Sequence, residues 1–244
     1  MSIEAGLQRY ETINSLIKKE LSEKSKAVVK NVNGQRYIGC TLDKGKTIEI
    51  HGTPGNDLAC YLNGGKIEVF GNCQDAVGNT MNGGEIIIHG HSGDALGYGM
   101  RNGQIFIKDN VACRGGIHMK EFEDMKPVLV IGQNAGSFLG EYMAGGTIVL
   151  LGLNLKRGEK LFGTHCASGM HGGKIFVRGK FPKENLSSNI NISDLTDNDK
   201  KELDKLVKKY CKCFDCSYDE IMAKPFKKLS PATSRPYANL YTAN

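Results

Sequence analysis

The chain has 244 residues, including 31 glycines and 6 prolines, with no tryptophan and a formal net charge of +6. That length suffices for one large core or two small ones, and much glycine with little proline excludes a disordered low-complexity chain. The mild basic excess does not require nucleic acid, and no run of about 18 apolar residues is present to span a membrane.

The start, MSIEAGLQRYETINSLIKKE, lacks the apolar segment of a secretory signal. A cytoplasmic location is therefore expected, with the eight cysteines as reduced thiols. Residues 4–22 place Leu7, Tyr10, Ile13, Ile17 and Leu21 on one helical face. Residues 1–30 are thus read as a helix and a strand leading into the next region.

Residues 31–180 are dominated by a repeat. Gly52, Gly71 and Gly90 lie 19 residues apart, with Asp109 at the next equivalent place. Ile48, Ile67, Ile86 and Ile105 form one column before them, and Ile50, Val69, Ile88 and Ile107 another. A variable column lies between: Glu49, Glu68, Ile87 and Phe106. This alternation marks strands with one buried face. Leu58, Val77 and Leu96 form a third apolar column. Past residue 110 the register loosens: the stretch 111–127 departs from it, Gly132 to Gly152 spans 20 residues, and an insertion at 153–162 stretches the next interval to 27.

The Asn-Gly pairs at 63–64, 82–83 and 102–103 would suit hairpins of an antiparallel meander. Hairpins reverse direction, however, and would not return like residues every 19 positions. The period fits a mainly β fold, a single-stranded right-handed parallel β-helix with about 19–20 residues per coil and N- and C-terminal helices. Roughly seven coils at ~4.8 Å make a prism about 30–35 Å long. Glycine or asparagine is expected at the corners, where the backbone needs positive φ. A solenoid has open ends that must be covered, so the N-terminal helix is a candidate cap or partner element.

Chemical candidates within the coils are sparse. GCTLDKGKT at 39–47 resembles a phosphate loop, but five residues separate its glycines where four are required. Asn56, Asp75 and Asp94 share a column and suit turns that bond backbone amides, or a weak cation site. His51, Phe70, His89 and Lys108 share an outward column of mixed chemistry. Arg101 and Arg114 have no nucleophile or base in their motifs. No catalytic residue is assigned.

Residues 181–244 read as C-terminal helices and a tail. Thr196 with Asp199 approximates a capping box, before an apolar stripe of Leu203, Val207, Tyr210 and Phe214. SYDE at 217–220 opens a short further helix. Cys211, Cys213 and Cys216 form the most metal-like spacing, but a structural zinc needs a fourth ligand that no motif supplies. The final SPATSRPYANLYTAN has no periodicity.

At EYMAGGTIVLLG (141–152) and GMHGGKIFVRG (169–179) the sequence resembles the glycine-repeat β-helix domain of the glutamate synthase large subunit. The ending RPYANLYTAN is similar to that of free-standing microbial forms of this domain. One of the subunits of formylmethanofuran dehydrogenase belongs to the same domain family, and the Glu141-Tyr142-Met143 stretch favours the glutamate synthase branch. The resemblance implies a right-handed β-helix that acts as a noncatalytic scaffold. It also implies a glutamine amidotransferase and a flavin-dependent synthase as partner chains, which would carry FMN and an iron–sulfur cluster. No cofactor is expected on this chain: it begins Met1-Ser2 where the amidotransferase uses a cysteine, and it lacks a flavin-barrel pattern. The runner-up is the scaffold of formylmethanofuran dehydrogenase, and a third reading is a self-standing carbohydrate- or cation-binding β-helix. Partner contacts are expected at Arg101, Arg114, His118, Glu141, Tyr142, Met143, Tyr237, Asn239 and Tyr241. Self-association of the solenoid is compatible with this reading.

Overall fold

The computed structural model describes residues 2–233. In chain order it runs through β1 (Ile3–Glu4), α1 (Tyr10–Glu23), β2 (Lys26–Asn33), β3 (Thr47–Thr53), β4 (Asn63–Phe70), β5 (Gly83–Ile88) and β6 (Gln104–Ile107). It continues with β7 (Val128–Ile131), β8 (Ala144–Leu150), β9 (Gly172–Arg178), β10 (Ile190–Ser193), α2 (Asp197–Phe214), α3 (Tyr218–Met222) and β11 (Phe226–Pro231). Strands β1 to β9 pair in parallel in sequence order, forming a β-solenoid.

The columns read from the sequence are the registers of the ladder. Ile48 pairs with Ile67, Ile67 with Ile86, and Ile86 with Ile105. All four are fully buried, as are Leu58, Val77 and Leu96 across the interior. Another interior column is Leu42, Leu62, Met81, Met100, Met119, Met143 and Met170, and the carbonyls of the first six accept bonds from the next coil. The coils approach so closely at Gly84, with φ +95°, that an added Cβ would collide with the Gly65 carbonyl.

The corners meet the expectation only in part. Glycine holds positive φ at Gly64, Gly84, Gly103, Gly146 and Gly173 as expected, yet Asp57, Ala76, Ala95, Arg114 and Phe138 also take left-handed conformations on one edge. Tyr61, Thr80, His118 and Tyr142 do so on another. Such backbone costs a non-glycine residue about 1–2 kcal/mol. It is held by inter-coil bonds, such as Ala76 N–H to the Asp94 carbonyl at 2.8 Å and His118 N–H to the Glu141 carbonyl at 2.9 Å.

The ends also hold corrections. The N-terminal helix begins at Tyr10, so Leu7 precedes it and is 94% exposed. Ile13, Ile17 and Leu21 pack into the main core, and the unforeseen β1 adds a rung beyond β2. At the other end, β11 pairs antiparallel with β9, and β10 with β11. Neither strand shows the repeat pattern, and Ser230-Pro231 of the supposed tail lies in β11. The stretch 111–127 is less irregular than its spacing suggests. Val111 to Lys120 follow the coil path, and only the exposed residues 121–126 project, around a tight Phe122–Met125 turn. Likewise Leu161 and Phe162 of the 153–162 insertion are buried in the stack.

Helix α2 does not sit on the end of the solenoid; it lies along its flank. The variable column continues from Glu49 and Glu68 to Ile87, Phe106, Val130, Val149 and Phe176. From Phe106 onward its members form a second core with Leu203, Leu206, Val207 and Tyr210. Thr196 and Asp199 close the expected capping box, and Asp199 also meets Lys174 at 3.0 Å and Lys228 at 2.7 Å. Burial alone would raise its carboxyl pKa, but hydrogen bonds from Lys228, Thr196 and Lys174 hold it well below the usual range. Buried Arg178 anchors α3, donating to the carbonyls of Ile221 at 2.6 Å and Glu220 at 2.8 Å.

The flank contact generates a contrast within one column. Phe106→Ala should cost about 3–5 kcal/mol, since it empties a site under α2. Glu49→Ala, one column member outside the helix cover, should cost less than about 1 kcal/mol. Urea denaturation of the two variants measures this; equal losses would contradict the helix-covered flank.

Candidate functional site

The inward columns are filled by aliphatic and methionine side chains, so chemistry is confined to the corners and the exposed face. One corner carries the most. In the residue that follows each interior methionine, Arg101, Lys120, Ala144 and His171 succeed one another up the stack, each donating its N–H to a methionine carbonyl of the previous coil. The residue just before each methionine contributes Thr80, Gly99, His118 and Tyr142.

These two columns enclose a groove of 310 Å³ lined by Thr80, Tyr98, Arg101, His118, Lys120, Tyr142 and His171, with Gly99 and Ala144 leaving its hollow. His118 stacks on Tyr142 with centroids 5.2 Å apart and planes 14° from parallel. Tyr98 meets His118 edge-on at 5.8 Å. Tyr98 and Tyr142 are each 41% exposed, although two-ring packing is best satisfied by burial. His171 holds its Nδ1 3.1 Å from the Gly169 carbonyl. Neither the Arg101 nor the Lys120 side chain has a hydrogen-bond or ion-pair partner among the described residues. The groove therefore presents two unpaired cations beside flat aromatic surface, an arrangement that attracts anionic groups.

Of the residues singled out from sequence, Arg101, His118 and Tyr142 come together here. Arg114 and Glu141 form an adjacent pair, Nε to Oε2 at 3.2 Å, with the guanidinium 4.9 Å over the Phe138 ring. Met143 is a correction: it is fully buried in the methionine column and offers no side chain to a partner. Tyr237, Asn239 and Tyr241 lie outside the described residues. Lys120, His171 and Tyr98 were not anticipated. Their signal is the phrase centred on methionine, TMN, GMR, HMK, YMA and GMH, which runs on through the region where the glycine spacing drifts.

The other candidates resolve into structure. The Asn56 side chain accepts from Asp75 N–H at 3.3 Å, the Asp75 carboxylate from Asp94 N–H at 2.9 Å, and the Asp94 carboxylate from Cys113 N–H at 2.8 Å. Each acid thus ties its coil to the next. The outward column is a stack: His51 on Phe70 at 4.9 Å and Phe70 on His89 at 4.5 Å, closed by Phe214 of α2. Cys211, Cys213 and Cys216 lie at the end of α2, where burial pushes the Cys211 thiol up to about 12 and raises that of Cys213. Among the described residues, no group of three or more His, Cys, Asp or Glu side chains is placed to hold a metal ion.

The architecture defines a β-solenoid protein whose chemistry is displayed on its surface. Residues 7–234 match the GXGXG motif family, and the chain belongs to it. It is 42% identical over 249 residues to the uncharacterized protein MJ1350 of Methanocaldococcus jannaschii, covering 98% of this chain and 95% of the relative. Its fold is similar to a chain in the crystal structure of the formyltransferase/hydrolase complex FhcABCD of Methylorubrum extorquens in complex with methylofuran. The TM-score is 0.63 at 20% identity, covering 86% of this chain and 75% of the other.

Because the Arg101 and Lys120 side chains have no hydrogen-bond or ion-pair partner among the described residues, replacing both should leave folding intact. The Arg101→Gln, Lys120→Gln double variant is expected to stay within about 0.5 kcal/mol of the parent. Tyr142→Ala, which removes a ring stack, should cost about 0.5–1.5 kcal/mol. Thermal and urea unfolding check both, and a large loss in the double variant would mean that the cations are structural.

Proposed function

We propose that this chain is a noncatalytic solenoid subunit of a multi-subunit enzyme complex, of the kind represented by formylmethanofuran dehydrogenase and the formyltransferase/hydrolase complex. Its catalytic sites would then reside on other chains. The observation that carries this reading is the shared solenoid over most of the chain with a component of such a complex. The display of chemistry agrees with it: the interior is a packed hydrocarbon core, and the groove has cations and rings but no arranged nucleophile and base. On this reading the corner bearing Arg101, His118, Lys120 and Tyr142 faces a partner, with Tyr98 and Tyr142 as interface anchors.

A second reading, the scaffold of a glutamate synthase-like complex, is carried by the Glu141-Tyr142-Met143 stretch. Each of those residues has a defined corner role, namely the Arg114 ion pair, the groove wall and the methionine column. On that reading the partners are a glutamine amidotransferase and a flavin-dependent synthase, with FMN and an iron–sulfur cluster on those chains. Neither reading requires a membrane anchor, and no helix among the described residues is long and apolar enough to cross a membrane.

Affinity purification of the tagged chain from its native cells tests the proposal. Recovery of formyl-transferring or molybdopterin-containing chains is expected, whereas an amidotransferase with a flavin protein would establish the second reading. The Arg101→Gln, Lys120→Gln variant should recover at least about fivefold less partner while keeping its fold, because unpaired rim cations act on association. A chain that purifies alone under gentle low-salt conditions would overturn both readings.

A further inference from the structure

We propose that Cys40 and Cys60 form a modification site, a stacked thiol pair that a hydroperoxide converts into an intramolecular disulfide joining successive coils. This inference is independent of the complex to which the chain belongs. The two cysteines are 20 positions apart, one coil period, and their Sγ atoms lie 2.8 Å from each other. They occupy the same place in their corners. Cys40 N–H donates to the Tyr37 carbonyl and Cys60 N–H to the Asp57 carbonyl, three residues back in each case, and Thr41 N–H donates to the Cys60 carbonyl at 3.0 Å. Stacked strands lie ~4.8 Å apart, inside the roughly 4.4–6.8 Å between Cα atoms that a disulfide spans. The sulfurs thus already lie close to one another, on corners whose backbones are hydrogen-bonded coil to coil.

Cys40 of the pair is reachable from a cleft, with Cys60 buried directly against it, and both differ from the core thiols Cys73 and Cys166. Cys40 lines a cleft of 570 Å³ between α1 and the first coils, with Asn14, Ile17, Lys18, Tyr37 and Lys46 around it. Cys73 and Cys166 are closed in the core, where burial raises their thiols far above the ordinary range. By contrast, the hydrogen bond from Cys40 favours the thiolate of Cys60 and lowers its pKa, while the Cys40 thiol is held protonated by its partner. A low-pKa thiolate beside a resolving thiol is the pattern of oxidisable cysteines.

The chemistry balances with one peroxide. The Cys60 thiolate attacks the peroxide oxygen, the O–O bond breaks, and Cys60 becomes a sulfenic acid as the first water leaves with a proton. The Cys40 sulfur then attacks the Cys60 sulfur, the S–O bond breaks, the S–S bond forms, and the departing hydroxide takes the Cys40 proton as the second water. Two thiols are oxidised by two electrons and one hydroperoxide is reduced. Reduction by two equivalents of a small thiol restores the pair.

The test uses the full chain, reduced and then exposed to hydrogen peroxide, alkylated, and mapped by peptide mass spectrometry beside thermal unfolding. A Cys40–Cys60 linked peptide is expected, with Tm raised by about 5–10 °C because the unfolded chain is constrained, and both effects reversed by dithiothreitol. In Cys40→Ser the link and the Tm rise should vanish and Cys60 should be captured by dimedone as its sulfenic acid. Cys60→Ser should give neither the link nor the rise. Cys40 and Cys60 remaining alkylatable in wild type after peroxide, or linking only to other cysteines or between chains, would overturn the proposal.

Discussion

Each residue of a coil must fit the residue directly above and below it, at the spacing of hydrogen-bonded strands, and every other feature of the molecule follows from that requirement. Where the column points inward, this selects like on like, and Ile48, Ile67, Ile86 and Ile105 stack as four fully buried copies of one side chain. Where backbones crowd, as at Gly84, it leaves no room for a Cβ. At the corners it is strong enough to hold Ala76, Arg114, His118 and Tyr142 in left-handed conformations, because the coil-to-coil hydrogen bonds offset the local strain.

That corner geometry connects folding to display. A residue forced outward at a corner contributes little to the core, so its identity is open to other uses. Tyr98, His118 and Tyr142 succeed one another along the axis, edge-on and then stacked, beside Arg101, Lys120 and His171, while glycine and alanine between them leave the hollow. The opposite situation holds on the flank, where α2 covers the outward column from Phe106 onward and seals it as a second core. Asp199, Lys174 and Lys228 pin the start of that helix, and Arg178 pins the short helix after it. One flank is thus consumed internally, whereas the groove corner has no covering helix among the described residues.

Much of this is legible in the sequence because a 19-residue period in two aliphatic columns admits few architectures. The capping box at Thr196 and the stripe from Leu203 to Tyr210 are legible for a related reason, since helix chemistry is local. The route of α2 is less so. Its trace is the change from Glu49 and Glu68 to Ile87, Phe106 and the later Val130, Val149 and Phe176, which reads as mere variability unless a covering element is sought. Strands β10 and β11 pair antiparallel outside the repeat, so the columns that reveal the coils carry no signal for them. At the groove, Arg101, His118 and Tyr142 are visible, whereas Lys120 and His171 are reached only by following the methionines in place of the glycines. Following them also moves Met143 from the surface to the interior.

On the proposed reading, a rigid ladder with a partner-binding corner should show two different responses when a partner docks. Hydrogen–deuterium exchange, read by mass spectrometry on the free chain and on the natively purified assembly, separates them. Amides of β4 to β8 are expected to exchange slowly in both states, and assembly is expected to add protection around residues 98–101, 118–120, 142–144 and 171. New protection confined to the exposed face of β3 and β4, with the groove corner unchanged, would contradict a partner-binding role for that corner.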